Sequence, residues 1–354
     1  MLNFYPGPSK LQAEVGEYMQ DALASGILER NHRSPAFEEL LAETVKNVKE
    51  KLDVPEDYRV YFTSSATECW EITAQSLLQG RIQFLYNGAF GKKWFKYTVT
   101  NPELDKSERK TQIRGSRFTL DQPLSEAEID QQADCLCTTQ CETSNGTAIA
   151  MEELAKLPGK ALKCIDATSS MAGQYLDFRL ADVWFASVQK AFGLPAGMGI
   201  LICSPKALAQ AEQINERNHY NSLLFIDENF RKNQTHYTPN VLEIYLMNAL
   251  LKNRAPISEI DKKAKRRAEH IYKFITAHEK LENLVQNPLT RAQTVLAIAS
   301  EKQVIESTKR KAEEKGIILG NGYGEWKENT FRIANFPAIP DTDFDQLIQF
   351  LQEI

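Results

Sequence analysis

The sequence predicts an α/β protein whose central sheet is wound and mostly parallel or mixed, with helices covering both of its faces. Two observations carry this prediction. Between about residues 36 and 205, segments with helical spacing alternate with short β-rich runs. Beyond residue 205 long charged helical segments predominate, which predicts a second, smaller α+β domain. We place the large domain at residues 16–244 and the small domain at residues 1–15 together with 245–354.

The predicted large domain begins with a helix and continues with β-rich runs. Apolar residues recur at helical spacing from Phe37 to Leu52 and stop before Pro55. Helical stretches such as Thr67–Leu78 and Met151–Leu157 separate several of the runs. The predicted strands are Tyr58–Phe62, Ile82–Tyr86, Ala133–Thr138, Leu162–Asp166, Val183–Ser187 and Gly199–Cys203.

The remaining chain contains helices and only two further β-rich runs. The first fifteen or so residues hold too little apolar material to fold alone, so we expect them to pack on the small domain. The predicted elements are helices Pro205–Arg217, Ile257–His278 and Phe344–Leu351, and strands Thr294–Ala299 and Thr330–Ala334.

The composition is ordinary for a globular protein of 354 residues, with 42% hydrophobic and 25% charged residues. A net charge of -5 gives no reason to expect nucleic acid or an anionic membrane as a partner. No apolar run approaches the roughly 18–20 residues that cross a bilayer. Residues 1–8 lack the basic and apolar regions of a signal peptide. We therefore expect a cytoplasmic protein that acts on small molecules.

The six cysteines are spread through a large chain, which argues against a disulfide framework. Cys135, Cys137 and Cys141 suggest a metal site, but the first two alternate as in a strand. No paired CxxC motif or nearby histidine completes a tetrahedral set of ligands. We interpret the cysteines as small buried side chains and predict no metal.

Lys190 is the first candidate for chemistry. It directly follows the apolar run Val183–Ser187, and a turn with Gly193 and Pro195 comes after it. In a wound sheet, ligands bind beyond the carboxyl ends of strands. Partial burial there lowers the pKa of a lysine, so that its neutral amine can attack a carbonyl and form a Schiff base. The alternative is a solvated loop lysine.

Asp166 ends the predicted strand Leu162–Asp166 and precedes Ala167-Thr168-Ser169-Ser170. In an enzyme that uses pyridoxal 5′-phosphate, an acidic group pairs with the pyridine nitrogen and keeps it protonated. An aspartate followed by serine and threonine is also a common helix N-cap. Its position twenty-four residues before Lys190 favours the cofactor role.

Small and hydroxylated residues, Thr63-Ser64-Ser65-Ala66-Thr67, follow the strand Tyr58–Phe62 and open a helix. Such a helix N-terminus offers backbone N–H groups and a favourable dipole to a phosphate. The same residues with Glu68 also fit an ordinary capping box. A capped helix still presents N–H groups, so both interpretations can hold.

Arg332 lies inside the apolar run Thr330–Ala334. A buried arginine is costly unless it is paired. It could clamp a substrate carboxylate or form an internal salt bridge, and the sequence leaves both open.

In combination these motifs resemble the fold-type I, class V aminotransferases, and within that class most closely the phosphoserine aminotransferase family. The resemblance runs nearly from end to end and implies a mainly parallel seven-stranded sheet in the large domain. The matching segments are Asn3–Pro8, Leu11–Val15, His32–Phe37, Thr143–Ile149, Asp166–Ser170, Gln189-Lys190 and Tyr237–Pro239.

The resemblance also implies a role for each matching residue. Lys190 would bind pyridoxal 5′-phosphate as a Schiff base and act as the catalytic base, and Asp166 would pair with the ring nitrogen. Tyr237 and Thr238 would come from the neighbouring subunit of a homodimer. The ring would stack on Phe90 and bond Thr143, its phosphate would contact Ala66, Thr67 and Gln189, and Arg332, His32 and Arg33 would bind the substrate.

Two segments depart from the family pattern. Where the family has a glycine-rich turn that contains an arginine, this chain has Ser65–Glu68. Where the family has a His-Arg pair, this chain has Gly322–Lys327. The resemblance predicts transamination between phosphoserine and 2-oxoglutarate. The alternatives are an alanine/serine–glyoxylate type aminotransferase, a cysteine desulfurase, and a non-catalytic protein of the same fold. A plain nucleotide-binding protein lacks support, because the sequence has no GxGxxG or GxxxxGK[ST] motif.

Overall fold

The computed structural model describes residues 1–354, apart from the side chain of residue 107. The strands are β1 (Leu2–Phe4), β2 (Arg59–Thr63), β3 (Arg81–Tyr86), β4 (Gln112–Arg117), β5 (Cys135–Thr139), β6 (Cys141–Glu142), β7 (Thr147–Ala148), β8 (Leu162–Asp166), β9 (Val183–Ser187), β10 (Gly199–Cys203), β11 (Glu282–Asn283), β12 (Val295–Ala299), β13 (Ile317–Asn321) and β14 (Thr330–Ala334). The helices are α1 (Val15–Ala24), α2 (Pro35–Leu52), α3 (Ala66–Leu77), α4 (Ala89–Val99), α5 (Met151–Ala155), α6 (Pro205–Ile214), α7 (Leu223–Phe230), α8 (Val241–Asn253), α9 (Ile257–Thr276), α10 (Lys302–Glu314) and α11 (Asp341–Leu351).

The large sheet has seven strands in the order β2-β10-β9-β8-β5-β3-β4. β10 runs antiparallel to both of its neighbours, and the other pairs are parallel. The prediction of a wound, mostly parallel sheet is therefore confirmed. β4 lies outside the predicted strands, because Gln112–Arg117 contains one large apolar residue and forms the edge of the sheet.

Helices cover both faces of this sheet and create two hydrophobic layers. On one face α2 packs against α8, and on the other α3 packs against α4 and α6. Phe37, Leu41 and Trp184 are fully buried in the first layer, and Trp94 and Phe185 in the second. All six cysteines are buried and form no disulfide. The side chains of β5, β8, β9 and β10 are buried almost throughout, as expected for strands covered on both sides.

The small sheet has five strands in the order β1-β13-β14-β12-β11. β12 and β14 match the predicted strands, whereas β1, β11 and β13 lie outside them. β1 pairs in parallel with β13, so that Leu2 lies opposite Ile317 and Phe4 opposite Leu319. The amino-terminal segment thus adds an edge strand to a sheet built from the last quarter of the chain.

Several helix ends follow local capping signals. Ser34 caps α2 by accepting a hydrogen bond from the Phe37 amide, and Pro35 occupies its first turn. α6 ends at Ile214, three residues before the end predicted from the pattern, and its C-cap Asn215 adopts a left-handed conformation with φ of 50°. Throughout the described residues, no helix is both long and apolar enough to cross a membrane.

Candidate active site

Lys190 lies in the loop between β9 and β10, just beyond the carboxyl end of β9. It is only 8% exposed, and its Nζ donates hydrogen bonds to Thr143 Oγ1 at 2.7 Å and Ser169 Oγ at 3.0 Å. Burial lowers the pKa of Lys190 to about 8, and the Asp166 carboxylate is the largest charge opposing that shift. The solvated-loop alternative is therefore wrong, and a neutral, nucleophilic amine is accessible near neutral pH.

The amino-terminal segment packs directly against the Lys190 side chain. A Cβ on Gly7 would lie 3.1 Å from Lys190 Cε, and Gly7 has a φ of +149°, so a larger residue would be strained there. Ser9 Oγ donates to the carbonyl oxygens of Gln189 and Lys190, both at 3.0 Å. This segment therefore fixes the backbone that carries the lysine.

Asp166 is 4% exposed at the end of β8. Its Oδ1 accepts a hydrogen bond from the Thr168 amide at 2.9 Å, and its Oδ2 accepts one from Trp70 Nε1 at 3.3 Å. Burial raises the pKa of the carboxyl, against the opposing effects of Thr168 and Lys190. The chain after Asp166 forms turns rather than a helix, so the N-cap alternative is wrong.

The N-terminus of α3 lies beside these groups and is well ordered by hydrogen bonds. Ser65 Oγ accepts from the Glu68 amide at 3.1 Å, and the Glu68 carboxylate accepts from the Ser64 amide at 2.6 Å. The Ala66 amide donates to Ser187 Oγ at 2.9 Å, which joins the helix start to the end of β9. The capping interpretation therefore holds, and the first turn of α3 still faces the cavity described below.

Phe90 forms an aromatic wall from the first turn of α4. Its ring centroid lies 5.3 Å from Lys190 Nζ and 5.0 Å from the ring of Tyr323, with an interplanar angle of 23°. The buried Glu142 carboxylate accepts from the amides of Phe90 at 3.3 Å and Gly91 at 3.0 Å. Glu142 thereby caps the positive end of α4 and fixes where the Phe90 ring stands.

Arg332 enters the same space from β14 of the small sheet. It is 4% exposed, and it donates from Nε to the Asn321 carbonyl and from Nη1 to the Thr143 carbonyl, both at 2.7 Å. Its guanidinium carbon lies 5.6 Å from the Tyr323 ring centroid. Burial lowers the pKa of Arg332. Among the described residues it contacts carbonyl oxygens and no carboxylate, which favours the clamp over the internal salt bridge.

A cavity of about 260 Å³, here called the Lys190 cavity, unites most of the predicted site residues. Eight of the twelve line it: Ala66, Thr67, Phe90, Thr143, Asp166, Gln189, Lys190 and Arg332.

The other four predicted residues lie elsewhere in the same chain. His32 and Thr238 line a separate cavity of about 490 Å³. Arg33 is exposed next to His32. Tyr237 is half-buried and packs edge-on against His236, with ring centroids 4.8 Å apart. Within one chain, none of the four reaches the Lys190 cavity.

Other residues of the site lie outside the sequence-based prediction. Ser169 and Trp70 hold Lys190 and Asp166, while Tyr323 and Lys93 line the cavity. Helical spacing offered a signal for two of them, because Trp70 lies three residues after Thr67 and Lys93 three after Phe90. The signal for Tyr323 was weaker: it lies in Gly322–Lys327, which departs from the family pattern, and the small sheet places it beside Phe90.

Comparison with known proteins resolves what this arrangement belongs to. The family model for class V aminotransferases matches residues 1–324. The chain belongs to that family. It is 26% identical over 350 residues to a phosphoserine aminotransferase of Rhodococcus opacus, which covers 96% of this chain and 91% of the relative. A solved phosphoserine aminotransferase from Cytophaga hutchinsonii superposes with a TM-score of 0.90 at 28% identity, over 99% of this chain and 98% of the other.

A third comparison shows that proteins with a different named activity share this fold. The alanine–glyoxylate aminotransferase of Nostoc superposes with a TM-score of 0.79 at 17% identity, covering 99% of this chain and 94% of the other. That likeness shows a shared fold only. The protein is a pyridoxal-phosphate-dependent aminotransferase, and the resemblance inferred from the sequence is confirmed.

The residues of the Lys190 cavity fit this cofactor. When bound, pyridoxal phosphate supplies a carbon that carries the amino group and a ring that withdraws electrons from the substrate's α-carbon. Lys190 offers an amine of lowered pKa, Asp166 a buried carboxyl, and Phe90 a flat apolar surface. The hydroxyl of Thr139 lines the cavity without a hydrogen-bond partner among the described residues, so polar capacity remains for a ligand.

Proposed function

We propose that the chain transfers the amino group of phosphoserine to 2-oxoglutarate. One observation supports binding of the substrates' carboxylate: Arg332 is buried in the Lys190 cavity and no carboxylate of the described residues pairs with it. A buried guanidinium in this state is suited to an α-carboxylate, which both substrates contain. Relatives of nearly full length that are named phosphoserine aminotransferase support the choice of donor.

Each residue of the Lys190 cavity would have a separate role in this reaction. Lys190 would hold the cofactor and, once released, take the proton from the substrate's α-carbon. Thr143 and Ser169, which bond Nζ, would orient that amine. Asp166 would support the ring nitrogen, and Arg332 would fix the α-carboxylate.

A phosphate on the substrate requires further cations. A phosphomonoester carries close to two negative charges near pH 7. Besides Lys190 and Arg332, the only basic side chain among the described residues that line the Lys190 cavity is Lys93. His32 and Arg33 lie beside Thr238 on another surface. A second copy of the chain that brought this surface to the cavity would supply them, so we propose a homodimer with a shared site.

The donor is tested by half-reactions. The cofactor-loaded protein receives phosphoserine, alanine, serine or glutamate separately, and the visible absorbance of the bound cofactor is followed. We expect phosphoserine and glutamate to convert the cofactor at least about tenfold faster than alanine or serine. Fast conversion by alanine with none by phosphoserine would refute the proposed donor.

One observation favours the alanine/serine–glyoxylate alternative. The wall next to Arg332 is formed by the rings of Tyr323 and Phe90, whereas Lys327 of the same loop is exposed and does not line the cavity. An aromatic wall suits a small uncharged side chain. A second half-reaction separates the two candidates: the protein with its cofactor in the aminated form is offered glyoxylate or 2-oxoglutarate, and under this alternative glyoxylate should regenerate the cofactor faster.

The shared site is tested by subunit mixing. Lys190→Ala and His32→Ala proteins, each impaired alone for phosphoserine, are unfolded together and refolded. If the subunits pair randomly, half of the dimers are hybrids with one intact site each, so activity should recover to about a quarter of wild type. Recovery no greater than the sum of the separate proteins would show that His32 acts within its own chain or not at all.

A further inference from the structure

A second cavity of about 250 Å³ lies behind the loop that carries Lys190. It is formed between the amino-terminal segment, the end of α8, α9 and the turn after β14. We call it the Arg254 cavity. Gln12, one of its lining residues, donates from its backbone N–H to the Gly193 carbonyl at 2.9 Å. The Arg254 cavity is therefore separated from the Lys190 cavity by residues 190–193.

Arg254 lines this cavity and is 8% exposed. Its Nη2 donates to the carbonyl oxygens of Ala172 and Ala191. Its Nε and Nη1 are buried and have no hydrogen-bond partner, and no carboxylate among the described residues pairs with it. Burial lowers the pKa of Arg254 to about 10, so the group remains a cation at neutral pH.

Two further basic residues line the cavity without being fully neutralised. Arg267 is 7% exposed and bonds Asp341 through Nε at 2.5 Å, but its Nη2 is buried without a partner. Lys263 and Arg266 share that same carboxylate, at 3.2 and 3.8 Å. The Asp341 carboxylate thus faces three cations, and the charge of Asp343, which also pairs with Lys10, acts on Arg267 as well.

An unused acceptor accompanies these donors. Asn335 is 1% exposed and lines the cavity, and its Nδ2 donates to the carbonyls of Ala264 and Gln293. Those two bonds fix the orientation of the amide, so its Oδ1 points elsewhere and has no partner. Among the described residues that line the cavity the only acid is Glu14, which is exposed at the rim.

We propose that the Arg254 cavity is a binding site for a small oxyanion, a carboxylate or a phosphate, distinct from the substrate site. A buried guanidinium without a counter-ion is costly, and an anion from solution would remove that cost. An anion that also carries a hydroxyl or ammonium group could donate to Asn335 Oδ1. Since Arg254 also bonds the carbonyl next to Lys190, the occupied site would lie one side chain from the catalytic loop.

The proposal is tested by calorimetric titration of the cofactor-loaded protein with succinate and, separately, with inorganic phosphate. The protein carries Arg332→Leu, which weakens anion binding in the Lys190 cavity. We expect saturable binding of at least one of the two anions, with one site per chain. Adding Arg254→Met should weaken it at least tenfold. The control Lys262→Met removes an exposed lysine of α9 that does not line the cavity and should leave the affinity unchanged.

A second variant keeps the test decisive if Arg254→Met does not fold. Ala255→Glu places a carboxylate on the cavity lining next to Arg254 and should displace the anion, again weakening binding at least tenfold. Succinate without phosphate would assign a carboxylate ligand, and the reverse a phosphate. Absence of binding by both anions, or an affinity in Arg254→Met and Ala255→Glu that is unchanged from the Arg332→Leu parent, would overturn the proposal.

Discussion

The two cavities on either side of the Lys190 loop each contain a buried arginine, but they differ in how charge is balanced. In the Lys190 cavity, Asp166 and Glu142 are the carboxylates whose charge acts on Lys190, and Glu142 also acts on Arg332. In the Arg254 cavity no carboxylate of the described residues pairs with Arg254, and burial alone lowers its pKa. The cations of the first cavity thus have carboxylates close by, whereas Arg254 has none beside it.

This difference separates a reacting site from a holding site. A catalytic lysine must exchange a proton, so its surroundings keep both protonation states within reach. An arginine stays protonated throughout, so it can only attract and orient. The chemistry therefore belongs to the cavity with opposing charges, and variants of the two cavities should differ in kind.

The largest expected effect is that of Lys190→Ala. The variant loses the amine that holds the cofactor and moves the proton, so turnover should fall by at least about 1,000-fold. Borohydride reduction followed by peptide mass analysis should find no cofactor attached to the chain. Lys92→Ala, an exposed lysine of α4, should retain the attachment. Cofactor still trapped in Lys190→Ala would disprove the assignment of the lysine.

The second-largest loss of activity is expected for Arg332→Leu. Losing a buried charge-assisted contact to the α-carboxylate costs about 3 kcal/mol, so kcat/KM should fall roughly a hundredfold in both half-reactions. Arg254→Met, without added anion, should stay within about threefold of wild type. The comparison between the cavities fails if Arg254→Met impairs catalysis as much as Arg332→Leu does.

The rate at which the apoprotein takes up pyridoxal phosphate should depend on pH through Lys190. Its folded pKa is lowered to about 8, and only the neutral amine attacks. The uptake rate should therefore increase about tenfold per pH unit well below pH 8 and level off above it. Stopped-flow absorbance from pH 6 to 9.5 measures this. A profile that keeps increasing past pH 9.5 would mean that the lysine is not desolvated.

The smallest effect is expected for Glu142→Gln. The carboxylate raises the pKa of Lys190, so its removal should lower that pKa by less than about one unit. Cofactor uptake at pH 7 should then become slightly faster, even though the cap on α4 is weakened. Glu152→Gln, at an exposed position of α5, is the control. Slower uptake in Glu142→Gln would show that placing Phe90 matters more than the charge.

Most of the large sheet was predictable because its central strands are apolar on both faces. Val183–Ser187 and Gly199–Cys203 were predicted with the bounds that the structure shows. β4 was not predicted, because an edge strand need not be apolar on both sides, and most residues of Gln112–Arg117 are polar. β13 was missed because Ile317–Asn321 ends in glycine and asparagine, which usually signal a turn.

The site residues were predictable where they lie at or just after the end of an apolar strand, as Asp166 and Lys190 do. Tyr323 could not be found in this way, because its contact with Phe90 depends on how the small sheet stands against the large one. The place of His32 is a further case. Local sequence predicts a loop there, whereas the proposed role of that loop at the site requires a second chain.

The pairing of β1 with β13 has a consequence for how the protein is made on the ribosome. Residues 2–4 can find their partners only after residues 317–319 have been synthesised, so this segment must wait for one made much later. That same segment carries Gly7 and Ser9, which pack on Lys190 and its backbone. The pocket around Lys190 is therefore completed only after the segment that supplies Tyr323 and Arg332 has also been synthesised.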